Sequence, residues 1–198
     1  MIRAGTVAEV RQESGKWIFV DIGFSKIERS CGVAIDNGDP TSIQFSKLAP
    51  YISKVICDTN EPFNLLVEAP LSVAFTAEGN PTGRAIERQG SKTRYWYVGL
   101  GTTVLLAATY LLRDLAERGA SSDVRLFEGF VSFKTAGEKS NHERDVVSLR
   151  EAVWQAGNRP DTIHAPEQLR LNTTDRLCSA FRVAGMDFGI PPVICPIS

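Results

Sequence analysis

An α/β fold with a mixed five-stranded sheet flanked by helices is predicted by three features of the sequence. These are short apolar runs rich in β-branched and aromatic residues, a turn signal between two of the early runs, and helix-length amphipathic stretches between the later ones. The first run, Trp17–Phe24 (WIFVDIGF), reads as a strand buried on both faces. Cys31–Asp36 (CGVAID) and Ser42–Phe45 (SIQF) follow, joined by Asn37-Gly38-Asp39-Pro40, whose chemistry reverses a chain. The three runs therefore form an antiparallel meander. Ser46–Asp58 has helical spacing in part, despite Pro50, and Asn64–Ser72 (NLLVEAPLS) is a fourth strand stopped by Pro70. A long polar loop from Thr76 to Tyr97 precedes a helix from Gly99 to Gly119, apolar through Leu105, Leu106, Leu111, Leu112 and Leu115 and closed by a glycine cap. Val124–Phe133 (VRLFEGFVSF) is the fifth strand. A helix then begins at Ser140 and Glu143, spaced as a capping box, and continues through Val146, Leu149 and Val153; a last one spans Thr174 to Gly185.

The chain has 198 residues, 43% hydrophobic and 23% charged, which suits one ordinary globular domain over residues 1–198 and excludes a disordered or fibrous class. Its formal net charge of -1 argues against a strong sequence-independent grip on nucleic acid, so phosphate binding has to come from a local patch or a metal. Cys31, Cys57, Cys178 and Cys195 are too scattered for a zinc site and read as small core residues of a reducing cytoplasm. The N-terminus lacks the apolar run of a signal peptide, and the longest apolar stretch, Thr102 to Leu112, is too short for a bilayer, so no membrane association is expected.

Three strands each carry one acid in an apolar setting: Asp21, Glu68 and Glu128. Adjacent strands lie about 4.8 Å apart, so carboxylates at matching heights on one face converge to coordination distance. Like charges that close need a counter-charge, which a divalent cation supplies. Two of the acids also have a simpler reading, whereas Glu68 does not, since glutamate is poor in strands and almost never buried unpaired. Asp21 precedes Gly23 and suits a turn, while Glu128 can pair with Arg125 or with an arginine of the long loop.

The order strand-strand-strand-helix-strand-helix-strand-helix, with acids in the first and fourth strands, resembles the ribonuclease H-like superfamily. Within it, the chain is most similar to an uncharacterised family of predicted nucleases. The resemblance is carried by Asp21-Ile-Gly23, Glu68-Ala-Pro-Leu71, Glu128-Gly-Phe-Val-Ser-Phe133 and Asp175-Arg-Leu-Cys-Ser-Ala-Phe181. It implies that Asp21, Glu68 and Asp175 hold two Mg²⁺ or Mn²⁺ ions, with Glu128 beside them, and that the activity is hydrolysis of nucleic-acid phosphodiesters. It leaves room for a homodimer, since junction-cutting relatives act as dimers. Arg176 and Asn172 depart from the family pattern, and on a helix Asp175 would point to one side of the stripe formed by Leu177, Phe181 and Ala184. The stretch VDIGFSK also resembles the first phosphate motif of actin-like and sugar-kinase ATPases, but those need a second domain for which 198 residues leave no room.

His142 and Asp145, three residues apart on one helix face, are competing metal ligands; the alternative is a solvated first turn. Arg84, Arg88, Lys92 and Arg94 run into Tyr95-Trp96-Tyr97, a pattern suited to single-stranded or branched nucleic acid, although the rings also suit an anchor for the loop and the arginines a counter-charge for the acids. Two functions remain open. One is a metal-dependent nuclease; the other is a non-catalytic module that binds a partner through the acidic cluster or the arginine loop.

Overall fold

The computed structural model describes residues 1–12, 14–23, 30–58, 61–119, 122–131 and 141–196. In chain order the elements are β1 (Ile2–Ala4), α1 (Val7–Arg11), β2 (Lys16–Asp21), β3 (Cys31–Ile35), β4 (Thr41–Ile43), α2 (Phe45–Cys57), β5 (Phe63–Glu68), β6 (Ser72–Phe75) and β7 (Pro81–Thr82). They continue with β8 (Arg88–Gln89), β9 (Lys92–Thr93), α3 (Leu100–Arg118), β10 (Val124–Gly129), α4 (His142–Gln155), β11 (Ile163–His164), β12 (Arg176–Ser179) and β13 (Val193–Ile194).

The main sheet has eight strands in the order β11-β13-β10-β5-β2-β3-β4, with β1 also on β10. The expected meander is present, since β2 pairs antiparallel with β3 and β3 with β4. Strand β5 lies parallel between β2 and β10. The sheet is larger than the five strands expected because the free edge of β10 is covered twice: β1 pairs with its first half and β13 with its end. Such pairing satisfies backbone groups that an open edge would leave exposed.

Alternation along the strands divides the core into two layers. Ile18, Val20, Leu65, Val67, Val124 and Leu126 pack on α2 and α3. Trp17, Phe19, Leu66 and Phe127 pack on Val146, Leu149 and Val153 of α4. Helix α3 matches expectation in span, with Gly99 and Gly119 at its ends, but Leu106 faces solvent at 56% exposure. Val98 and Leu100, on either side of Gly99, are likewise exposed.

Other expectations change. The fourth strand, β5, stops before Pro70 as expected, but a further strand, β6, starts at Ser72 and leaves for a second sheet with β7 and β12. The last helix does not form. Residues Arg176–Ser179 pair antiparallel with β6, and only a 3₁₀ turn, Ala180–Ala184, remains of it. The backbone of β6, turned away from the main sheet, needs a partner, and that tertiary demand overrides local helical spacing. The loop after Thr76 contains β7, a 3₁₀ turn at Ala85–Glu87 and the β8–β9 hairpin. Helix α4 is capped by Asn141, whose side chain accepts from the Arg144 N–H at 3.1 Å. Ser140 of the expected capping box, Phe24–Lys26 of VDIGFSK and Ser132-Phe133 of the fifth run lie outside the described residues. Cys31 is buried but Cys57 is exposed, and the four cysteines are free. Among the described residues no helix is long and apolar enough to cross a membrane.

Candidate metal centre

Asp21 and Glu68 end neighbouring parallel strands and are register partners, so their side chains leave the same face at the same height. That face is the one covered by α4, because Asp21 continues the Trp17–Phe19 row and Glu68 follows Leu66. The carboxyl ends of parallel strands are where an α/β sheet opens into a crevice. Both acids are nearly enclosed, at 2% and 7% exposure.

Helix α4 brings the rest of the site. His142 and Asp145 stand on its first turn, and the Nδ1 of His142 lies 2.8 Å from Oδ2 of Asp21 in a hydrogen bond. Asp21, His142 and Asp145 each offer a ligand atom within 4.8 Å of the others, so this group can hold a metal ion. A helix N-terminus adds a favourable field for the carboxylates gathered there.

Two glycines allow this approach. A methyl group on Gly23 would strike the His142 ring and the Ser30 carbonyl, and one on Gly32 would strike the His142 carbonyl. The Asp-x-Gly of the first strand therefore has a steric cause, and Gly32, inside β3, is the place where the helix backbone comes down on the sheet. The helix is also tied at its start by Ser42, whose hydroxyl donates to Glu143 at 2.6 Å.

Glu68 has a cationic neighbour. Arg94 Nη1 lies 2.9 Å from Glu68 Oε1 and donates to the Val131 carbonyl at 3.0 Å, while its guanidinium sits 5.3 Å over the Phe130 ring. Burial, opposed by Arg94 and reinforced by the adjacent Asp21 carboxylate, leaves the Glu68 carboxyl raised to about 8. Burial works against the Arg94 charge, yet the carboxylates of Glu68, Asp21 and Asp145 raise its pKa overall.

Glu128 does not join them. It is the register partner of Val67, not of Glu68, so it faces the opposite side of the sheet; a one-residue offset reverses the face. There it meets Arg84, the loop arginine foreseen as its alternative partner. Arg84 Nη1 donates to Glu128 Oε2 at 2.7 Å and to the Ser72 hydroxyl at 2.9 Å, and Arg84 Nε and Nη2 donate to Glu87 Oε1 at 3.2 and 2.9 Å. Glu128 Oε1 is 2.7 Å from Arg84 Nη2, an ion pair without hydrogen-bond alignment. All three side chains are buried, and burial raises the Glu87 carboxyl above its ordinary range despite Arg84. Glu87 escaped the sequence reading, although its three-residue spacing from Arg84 was a usable signal.

Asp175 lies just before β12, where Arg176 pairs with Phe75 at the far end of β6. Its carboxylate accepts from the Asn172 N–H at 2.9 Å and so closes a turn. Arg84, fully enclosed, presents no cation to solvent, whereas Arg88 and Lys92 are exposed on the β8–β9 hairpin. Of the three aromatics, Trp96 is an anchor: its Nε1 donates to Thr82 at 2.9 Å and its ring meets Phe75 edge-on. Tyr95 and Tyr97 stack on each other at 5.4 Å.

Comparison with protein-family models, curated proteins and solved structures finds no match.

Proposed function

We propose that this chain is a divalent-cation-dependent hydrolase of nucleic-acid phosphodiesters, with a ribonuclease H-like arrangement of its core. The observation that carries the reading is the meeting of Asp21, His142 and Asp145 beside Glu68, four groups from three separate segments at one end of parallel strands. The core order supports it as well, since β2, β3, β4, α2, β5, α3, β10 and α4 follow the strand and helix sequence of that superfamily.

The donor set fits a divalent ion. Carboxylate oxygens with one imidazole nitrogen suit Mn²⁺, and Mg²⁺ is served by the oxygens alone. When bound, such an ion polarises a phosphoryl oxygen and makes water a stronger nucleophile. The protein's own groups do the rest. Asp21 orients the His142 ring through their hydrogen bond, and Asp145 adds a second carboxylate from the same helix turn. The imidazole of His142 has to be unprotonated at the nitrogen it offers to an ion, so cation binding strengthens with rising pH. Exposed Arg88 and Lys92 are the residues that hold backbone phosphates in this reading, and the stacked Tyr95 and Tyr97 the rings that meet bases.

The second reading is a non-catalytic binding module. The Arg94–Glu68 ion pair favours it, because part of the acidic charge is balanced within the protein.

Thermal melting of chelator-treated protein separates the two. Millimolar Mn²⁺ raises the midpoint of the native protein, since a ligand bound only by the folded state stabilises it. Asp21→Asn abolishes that rise and any cleavage of single-stranded, duplex or branched substrates, while the unliganded protein melts no lower. No response of the wild type to Mn²⁺ or Mg²⁺ rejects the hydrolase reading. A response without cleavage of any substrate supports the binding module.

A further inference from the structure

The cation-binding reading leaves open how many ions the site accepts, and the surroundings of Arg94 bear on that number. We propose that Arg94 is a built-in counter-cation that takes the place of a second metal ion, so that the site of Asp21, His142 and Asp145 binds one divalent ion per chain. This inference rests on the cation-binding reading.

The charge pattern comes first. Asp21 and Glu68 leave neighbouring strands at one height, and two carboxyls so placed ionise together only with positive charge close by. On the α4 side that charge has a place, where His142 and Asp145 join Asp21. On the β10 side the place is already taken: Arg94 stands 2.9 Å from Glu68 Oε1. Glu68 is not part of the group whose ligand atoms come within 4.8 Å of one another, although its carboxyl also bonds Asp21, so Asp21 stands between one open cation position and one filled by a guanidinium.

Arg94 is fixed in that role. Its Nη1 is also bonded to the Val131 carbonyl, its guanidinium covers the Phe130 ring, and its own N–H donates to the Glu87 carbonyl at 2.9 Å. Glu87 is held in turn: its carboxylate accepts from the Arg84 N–H at 2.8 Å and from the Arg84 side chain, which is clamped to Glu128 and Ser72. Glu128 closes the chain by accepting from the Leu71 N–H at 2.9 Å, three residues after Glu68. The buried cluster on one face of the sheet thus anchors the arginine that serves the other. Arg84, Glu87 and Glu128 are positioning residues, which accounts for two of the charged side chains that sequence alone placed at the substrate or the metal.

Calorimetric titration of chelator-treated protein with Mn²⁺ tests this. The wild type takes one ion per chain, Arg94→Met takes two, and Arg94→Lys, which keeps the charge, returns to one. Circular dichroism establishes that each variant is folded. Electron paramagnetic resonance of the wild type at saturating Mn²⁺ gives the answer without any variant: an isolated ion supports the proposal, and a spin-coupled pair overturns it. Two ions in the wild type, or a single ion in folded Arg94→Met, also overturn it while leaving the cation-binding reading intact. No binding by the wild type removes both.

Discussion

At the scale of single residues, the candidate site depends on what two glycines omit. His142 reaches Asp21 because Gly23 has no side chain, and the first turn of α4 settles on the sheet because Gly32 has none. At Gly32 the atom in the way is a backbone carbonyl, which cannot swing aside. Gly32→Ala is therefore expected to cost about 1–3 kcal/mol, the usual range for overpacking, and to weaken the Mn²⁺ response by moving His142 away from Asp21. Denaturant titration with and without Mn²⁺ measures both effects. An unchanged midpoint and an unchanged ion response would show that the helix has slack there. Asp21 itself was legible from sequence as a carboxylate in an apolar strand. Its partner His142 was legible only as one of several ligands, because nothing local says which strand a helix will cover.

At the scale of elements, α4 and the segment Arg84–Arg94 perform complementary tasks. Helix α4 is fastened at both ends, by Ser42 to Glu143 at its start and by Trp154 Nε1 to Asn37 Oδ1 at 2.9 Å near its end, so its first turn is delivered to one spot. The Arg84–Arg94 segment lacks long regular structure and is held by buried charge. Removing one member of a buried ionic cluster leaves the others uncompensated, at a cost of about 3–5 kcal/mol. Arg84→Met is expected to lose stability in that range, because it strands the Glu87 and Glu128 carboxylates together away from water. Chemical denaturation followed by fluorescence checks it; a loss below about 1 kcal/mol, the size of a surface pair, would mean that water reaches the cluster. The element that sequence misread, Thr174 to Gly185, shows why such segments mislead. Leu177, Phe181 and Ala184 have helical spacing, but the unpaired edge of β6 claims Arg176–Ser179 as a strand.

At the scale of the whole molecule, the N-terminal segment closes the sheet through a charged cluster far from the site. Arg3 of β1 bonds Glu9 at 2.6 Å and Asp123 at 2.9 Å, and Arg125 of β10 also reaches Glu9, at 3.2 Å. The Arg3 hydrogen bond holds the Glu9 carboxyl below its ordinary value of 4.5, against a smaller opposing effect of burial. A depressed carboxyl stabilises the fold fully above its unfolded pKa and loses that contribution as pH falls through the folded one. Glu9→Gln should therefore melt lower than the wild type at neutral pH, by about 1 kcal/mol or less because Arg3 is partly exposed, and the gap should close below pH 4.5 as the wild type is protonated. Melting curves across that range decide it; a gap that persists into strong acid would assign the effect to packing.

The amino-acid sequence by itself determined the class of the fold, the three-stranded meander, the span of α3 and the presence of acids where strands should be apolar. Those properties follow from periodicity, turn chemistry and composition, all of them local. Only the tertiary structure decided which acids meet. Glu68 pairs in register with Asp21 while Glu128 is one position out, and in a sheet that single step sends a side chain to the opposite layer. It also decided that Arg94 faces the acids and Arg84 is buried behind them, since the packing of a loop against strand ends is set by contacts distant in sequence.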